Sequence, residues 1–219
     1  MKITHSYSEI ADWFFGTLSS VLENKNSVTV GLGGGSSFDS WYGQLMTNEE
    51  GRMTNEELLK KIRWCMTDER VNCDISERND EHIGEVFIKP LFEKYGIPEE
   101  NFIRPTLDSG GTEYMERVGD IDIAFFGMGP DGHTASLFPN HPALQSEELG
   151  FIKINNAPKL PPERISLSPK AIQSLQHVCL FAVGDSKKEA LANFLDVGVS
   201  VGDCPVKLLR PEIVLDLTR

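Results

Sequence analysis

Gly127-Met-Gly-Pro-Asp-Gly-His-Thr-Ala-Ser-Leu-Phe-Pro139 decides how this chain reads, because it follows a strand-like run and sets a histidine in a turn built from glycines. Immediately upstream, Ile121-Asp-Ile-Ala-Phe-Phe126 is apolar over the length of a buried strand. Gly127, Gly129 and Gly132 permit a tight turn that would strain other residues. Asp131 then fits an N-cap, which predicts His133 in the first turn of a helix. The positive end of a helix dipole would disfavour an imidazolium there and favour the neutral ring, while Asp131 would pull the other way. A neutral imidazole is what a water-activating general base requires. The competing reading is a plain strand-to-helix connection whose histidine caps or packs.

Outward from this loop, helical and strand patterns alternate without repeats or low-complexity linkers. Ser6-Tyr-Ser-Glu9 fits a capping box, and Ile10, Trp13, Phe14, Leu18, Val21 and Leu22 follow at helical spacing. Val28-Thr-Val30 reads as a strand entering Gly31-Leu-Gly-Gly-Gly-Ser-Ser37, after which Phe38 to Leu45 reads as helix. Met46 to Asn55 is polar and loop-like, Glu56 to Lys61 a short helix, and Ile62-Arg-Trp-Cys-Met66 a strand. Ile83, Phe87 and Leu91 mark a helix that Pro90 should kink or end. Strands are expected at Phe151–Ile154, Arg164–Leu167, Val178–Val183 and Ile213–Leu217, with helices at Pro169–Leu175 and Ser186–Leu195 between them. Such alternation implies an α/β fold with a largely parallel sheet and helices on both faces. Ligands of open sheets of this kind bind outside the carboxyl ends of the strands.

The composition excludes several classes of function. A chain of 219 residues, 40% hydrophobic and 25% charged, buries a sizeable core as one domain over 1–219. No apolar run is long enough to span a membrane, and Met1-Lys-Ile-Thr-His-Ser6 lacks the layout of a secretory signal, so a cytoplasmic protein is expected. A net charge of −12 argues against nucleic acid and anionic membrane as partners. An anionic ligand must therefore meet a local cluster of cations. Cys65, Cys73, Cys179 and Cys204 show no Cys-x-x-Cys pairing and read as free thiols. No His/Cys/Asp spacing resembles a zinc site, so neither metal nor cofactor is expected. Nothing in the sequence sets an oligomeric state.

Five stretches in order, Gly31–Ser37, Trp64-Cys-Met-Thr-Asp-Glu-Arg-Val71, the histidine loop, Pro161-Pro-Glu-Arg-Ile-Ser-Leu167 and Val183-Gly-Asp-Ser-Lys-Lys-Glu-Ala-Leu191, give the chain a likeness to one family. It resembles the 6-phosphogluconolactonases, within the wider group that includes glucosamine-6-phosphate deaminases. The histidine loop and Asp-Glu-Arg-Val are the specific elements. The resemblance implies a modified Rossmann-like fold and hydrolysis of 6-phospho-D-glucono-1,5-lactone to 6-phosphogluconate, a step of the oxidative pentose phosphate pathway, with His133 activating the water. It also matches Arg70, Arg164 and Lys187 to the positions that hold the substrate phosphate. Arginine suits that task because its planar fork takes two oxygens at once. The family's usual Gly-Gly-Ser-Thr-Pro is Gly34-Gly-Ser-Ser-Phe38 here.

The residues carry part of this reading unaided. Gly34 and Gly35 let the backbone approach a ligand, and Ser36 adds a hydroxyl beside the N–H groups of a helix start, which suits a phosphate or a developing oxyanion. Lys187 in a first helical turn opposes the dipole unless an anion binds there, whereas Lys188 reads as solvated. Asp68 stands at a strand end, as catalytic carboxylates do, either to orient a sugar hydroxyl or to buttress Arg70; Glu69 reads as structural. His5, His82, His141 and His177 carry no motif. The rival chemistry is a glucosamine-6-phosphate deaminase, whose pattern has Asn-Glu-Pro after its histidine loop and Asp-Glu-Tyr earlier. Ser136-Leu-Phe-Pro139 and Asp68-Glu-Arg70 stand there instead. A non-catalytic phosphosugar sensor is the remaining alternative.

Overall fold

The structure is a computed structural model and describes residues 1–47, 56–106 and 111–218. Its ten strands are β1 (Lys2–Thr4), β2 (Val28–Leu32), β3 (Ile62–Met66), β4 (Asp68–Arg70), β5 (Phe102–Ile103), β6 (Ile123–Gly127), β7 (Phe151–Ile154), β8 (Arg164–Leu167), β9 (His177–Val183) and β10 (Ile213–Leu217). The helices are α1 (Tyr7–Leu22), α2 (Asp39–Thr47), α3 (Glu56–Leu59), α4 (Asn79–Ile83), α5 (Lys89–Tyr95), α6 (Thr112–Val118), α7 (Pro169–Ser174) and α8 (Lys188–Leu195). Seven strands form one parallel sheet in the order β1-β10-β9-β6-β2-β3-β5.

Period-two alternation divides the core between the two faces of this sheet. Phe125, Cys179 and Phe181 pack with Ile10, Phe14 and Leu18 of α1 and Trp41 and Tyr42 of α2. Their neighbours Phe126, Val178 and Leu180 pack on the other face with Tyr114 of α6, Ile172 of α7 and Leu191 of α8. Both faces are covered, so the central strands need apolar residues at consecutive positions. Each of these large side chains, fully buried, contributes ~1.5–3 kcal/mol. The scaffold's stability therefore resides in the sheet, and the loops at its carboxyl end are free to carry polar groups.

The strand order fixes where a ligand goes. The chain leaves β2 toward β3 on one side, and leaves β6 toward β9 on the other, while β2 and β6 lie side by side. The loops that follow them diverge and open a crevice between them. The glycine loop follows β2 and the histidine loop follows β6.

Several expectations are corrected. Two of the expected strands, β7 and β8, do not enter the parallel sheet; with β4 they form a three-stranded antiparallel sheet in the order β4-β8-β7. The helix expected to begin at Asp131 is absent. Gly132, Ala135 and Asn140 all take positive φ, at 79°, 48° and 57°, which interrupts helical bonding, and Thr134 and Leu137 exchange backbone bonds in a short bridge. Asp131 is thus no N-cap, and no dipole acts on His133. Ser6 does not close a capping box on α1. The pairing of β1 with β10 puts Lys2 beside Glu9 at 2.5 Å, and Thr4 takes the Ser6 N–H. Of the kink or end expected at Pro90, the end is not seen: a π-helical stretch over Gly84–Ile88 precedes it and Pro90 lies in the first turn of α5. A wider turn accommodates a residue that lacks an N–H. The polar stretch read as a loop from Met46 begins inside α2, and its residues 48–55 lie outside the described residues.

Candidate active site

The residues singled out from sequence meet at one place. A cavity of about 230 Å³ at the carboxyl ends of β2 and β6 is lined by Gly34, Gly35, Ser36, Asp68, Arg70, His133, Arg164 and Lys187, with Asn79 and Ala135 among the other walls. A larger concavity of about 560 Å³ lies beside the starts of β6 and β9, lined by residues such as Lys25, Asp122 and His177. It holds none of the motifs and sits at the wrong end of the strands, so size is outweighed here by chemistry.

His133 is held from below and behind. Its Nδ1 lies 2.5 Å from Asp131 Oδ1, and its ring packs on Phe138 at 4.7 Å between centroids. A carboxylate can only accept, so in the neutral ring the proton sits on Nδ1 and the lone pair on Nε2. Burial alone would raise the Asp131 carboxyl, but hydrogen bonds and charge from His133 and Lys159 hold it well below the usual carboxylate range. The glycines that allow this differ in kind. Gly132 is required by its φ of 79° and Gly129 by space, since a Cβ there would lie 1.9 Å from His133 Nδ1 and 2.4 Å from Asp131 Oδ1. Gly127 is required by neither, its nearest contact being Phe38 at 3.7 Å.

The glycine loop is shaped by a residue with no motif. A Cβ on Gly34 would fall 2.2 Å from the Asn79 side chain, which crosses directly over the loop and donates to the Asp68 carbonyl at 3.4 Å. Gly35, with φ at 95°, turns the chain into the 3₁₀ stretch Ser36–Phe38. Phe38 stands where the family has proline, and its fully buried ring packs on Phe181 at 4.8 Å and stacks on Tyr42 at 6.0 Å. Aromatic packing thereby anchors the loop.

The cations converge, as the sequence led one to expect. Arg70 and Arg164 are direct cross-strand partners on β4 and β8. Like charges so placed repel. Burial pulls the Arg164 guanidinium down from its ordinary value, Asp68 opposes that, and Arg70 adds to it. Arg164 is 5% exposed and spends its donors on the carbonyls of Pro161, Lys159 and Leu160 and on Ser136 Oγ. Arg70 donates to the Glu77 carbonyl at 2.6 Å, but its Nε is buried without a partner. Lys187 ends the 3₁₀ turn Asp185–Lys187 and makes no ion pair among the described residues. Burial, followed by the charge of Lys159, lowers its pKa. Lys188 is exposed and paired with Asp185 at 3.5 Å, the solvated residue expected.

The carboxylates divide by role. Asp68 is buried, and its Oδ2 accepts from Ser136 Oγ at 2.7 Å. No hydrogen bond or ion pair joins it to Arg70 among the described residues, and its charge acts on Arg164. Glu69 is structural, accepting the N–H groups of Arg70, Asn79 and Asp80 at 2.6 to 2.7 Å. It ties β4 to the start of α4 and so fixes Asn79 over Gly34. Burial, then the charge of Asp80, pushes its pKa up to about 8. Ser136, Asn79 and Lys159 are the site residues that the sequence did not single out. The other four histidines pair with groups outside the cavity: His5 with the Asp216 carbonyl, His82 with Asp39, His141 with Asn156 and His177 with Glu212. No group of three or more metal-binding side chains occurs among the described residues.

A histidine–carboxylate pair facing a cation cluster across a glycine loop can be set against known proteins. The family described as glucosamine-6-phosphate isomerases/6-phosphogluconolactonase matches residues 4–215. The chain belongs to this family. Among its relatives is a 6-phosphogluconolactonase of Borreliella burgdorferi, 28% identical over 222 residues that cover 96% of this chain and 92% of the relative. The crystal structure of a 6-phosphogluconolactonase from Thermotoga maritima superposes with a TM-score of 0.75 at 21% identity, over 97% of this chain and 95% of that one. A monomeric glucosamine-6-phosphate deaminase superposes with a TM-score of 0.73 at 19% identity, over 98% and 96%. At such identities the fold alone is shared, and it is shared with both chemistries. No helix among the described residues is long and apolar enough to cross a membrane.

Proposed function

We propose that the protein hydrolyses 6-phospho-D-glucono-1,5-lactone to 6-phosphogluconate, the oxidative pentose phosphate step implied by the family. The observation that carries this reading is the convergence of Arg70, Arg164 and Lys187 on the cavity that holds His133. Two arginines opposed across a ladder and a half-buried lysine without an ion pair repel one another until an anion lies between them. A phosphate on the substrate supplies that anion, and its contacts fix the ring so that attack on the lactone becomes effectively intramolecular.

A lactone needs little further help. His133 Nε2 takes a proton from water as the water oxygen bonds to the carbonyl carbon, giving a tetrahedral oxyanion. Collapse breaks the bond from that carbon to the ring oxygen, which leaves with the proton that Nε2 returns. Gly34, Gly35 and Ser36 line the same cavity, and backbone N–H groups of this loop would stabilise the oxyanion. Asp68, with Oδ2 held by Ser136, keeps Oδ1 for a sugar hydroxyl. Deaminase chemistry is disfavoured because Ser136-Leu-Phe-Pro139 replaces the Asn-Glu-Pro whose glutamate assists ring opening. Four free cysteines fit a reducing compartment, and we place the enzyme in the cytoplasm on that ground.

Purified protein without added metal or nucleotide should accelerate acid release from freshly made 6-phosphogluconolactone above its spontaneous opening. It should release no ammonia from glucosamine 6-phosphate. Ammonia with fructose 6-phosphate would overturn the assignment, and binding of 6-phosphogluconate with neither activity would leave the sensor.

A further inference from the structure

Lys159 lies in the stretch between β7 and β8, just before Pro161, and it reaches the histidine loop. Its Nζ is 2.9 Å from Asp131 Oδ2 and 3.3 Å from His133 Nδ1. The two oxygens of Asp131 are thus shared, Oδ1 to the imidazole and Oδ2 to the ammonium. Since Nδ1 carries its proton toward Oδ1, the ammonium has no lone pair to meet on that nitrogen, and its approach places one positive charge beside the ring. The position is not accidental to a mobile side chain. Arg164 donates to the carbonyls of Lys159, Leu160 and Pro161, which fixes the backbone from which Lys159 extends, and Nζ lies 5.8 Å from the Phe138 ring that also supports His133.

We propose that Lys159 is a positioning residue that offsets the charge of Asp131, so that His133 is oriented by the carboxylate without being held as an imidazolium. The inference rests on His133 as the base. Asp131 alone would favour the protonated ring, which cannot accept a proton from water. With Lys159 present the carboxylate's charge is offset, which weakens its hold on an imidazolium and leaves the ion formed during attack quick to give its proton to the departing ring oxygen. The other charged or titratable groups facing the ring are Lys187 from the turn before α8, Arg164 from β8, and Asp68 and Arg70 from β4. Cys204 lies beneath Gly132. Of the charged groups among the described residues, only Asp131 and Lys159 come within hydrogen-bonding distance of the imidazole.

The test compares wild type, Lys159→Met and Lys159→Arg. The His133 Cε1 proton is followed by NMR against pH in the substrate-free protein, assigned by its loss in His133→Ala. Initial rates then give kcat/KM against pH. In Lys159→Met the titration midpoint and the acid limb should both move to higher pH by roughly half to one unit, the size of one water-screened charge at this distance. Lys159→Arg should restore both. The substrate's own phosphate ionisation is common to all three proteins, so a difference among them belongs to the enzyme. An unmoved or downward midpoint would sink the proposal, and so would a loss confined to phosphorylated lactone, which would make Lys159 a phosphate ligand. Because the NMR midpoint needs no turnover, failure of the lactonase assignment would be seen separately, in an inactive wild type.

Discussion

Gly129→Ala is the sharpest perturbation of this site, because it adds one methyl group where the histidine lies. Gly129 does not take a positive φ, so alanine is tolerated by the backbone and the whole effect comes from space. The new Cβ would stand 1.9 Å from His133 Nδ1, 2.0 Å from its Cε1 and 2.4 Å from Asp131 Oδ1. Carbon and nitrogen settle at about 3.5 Å, so the imidazole must retreat by roughly 1.5 Å. The ring is only partly enclosed, 21% exposed, and can swing outward at the cost of its bond to Asp131. Misplacing a reacting group by about 1 Å lowers turnover on the order of 100-fold, equivalent to ~2.7 kcal/mol of barrier. The lost hydrogen bond is partly exposed and is worth about 1 kcal/mol, lowering Tm by roughly 2–4 °C. We therefore expect kcat to collapse while KM and the fold persist, since Arg70, Arg164 and Lys187 are untouched. Initial acid release from fresh lactone, corrected for spontaneous opening, measures the first, and a thermal melt the second. In a His133→Ala background the same change should cost nothing further, because both act through one group. A folded Gly129→Ala protein with near-normal kcat would refute the placement of His133 as base.

His133→Ala itself should remove catalysed lactone opening yet still bind 6-phosphogluconate in a calorimeter. Lys187→Met should raise KM for the phosphorylated lactone and erase most of its advantage over unphosphorylated gluconolactone; equal losses toward both would point to structural damage. Lys187 is the cleaner probe than Arg164, whose guanidinium also holds the carbonyls of three residues. Glu69 gives a stability signature: its pKa in the folded protein, pushed up to about 8, exceeds its value in the unfolded chain, so its contribution is present below the unfolded pKa and is lost as pH rises toward 8. Thermal melts should show wild type losing stability from mildly acidic to alkaline solution, by at most ~1.4 kcal/mol per pH unit for one proton, with the slope flattened in Glu69→Gln. A wild-type Tm that rises across that window would contradict it.

What the sequence made legible is what lies in a local pattern. His133, Gly34, Arg70 and Lys187 each follow a strand within a few residues, and a parallel sheet delivers all such positions to one end. The residues that escaped reach the site from afar. Ser136 meets Asp68 across 68 positions of chain, and Asn79 covers Gly34 only because Glu69 pins the start of α4. The second sheet was missed because β4 has three residues, too few for a period-two pattern to declare itself. The helix expected after Asp131 failed for another reason. An aspartate after glycine and proline serves a turn as well as an N-cap, and the positive φ at Ala135 runs against that residue's own preference, so tertiary context sets it. Strain of this kind, in a residue that lines the cavity, collects where a site constrains the backbone.

Architecture alone does not choose between the two chemistries of the family, since superposition on a lactonase and on a deaminase differs only from 0.75 to 0.73 in TM-score. The choice rests on what surrounds Asp68. Isomerisation needs a carboxylate free to carry a proton between neighbouring carbons, and an acid that helps the sugar ring open. Here Asp68 is 5% exposed, one of its oxygens is held by Ser136 Oγ at 2.7 Å, and the buried charge of Arg164 lies alongside. The bond from Ser136 restricts its movement, which suits orienting a hydroxyl better than shuttling a proton. Ser136 belongs to the Ser-Leu-Phe-Pro that stands where the deaminases carry their ring-opening glutamate. One replacement therefore does two things, removing the second acid and restraining the first. On the proposed reading a single base, His133, then faces the cations that would hold the substrate phosphate, and lactone hydrolysis asks for no more.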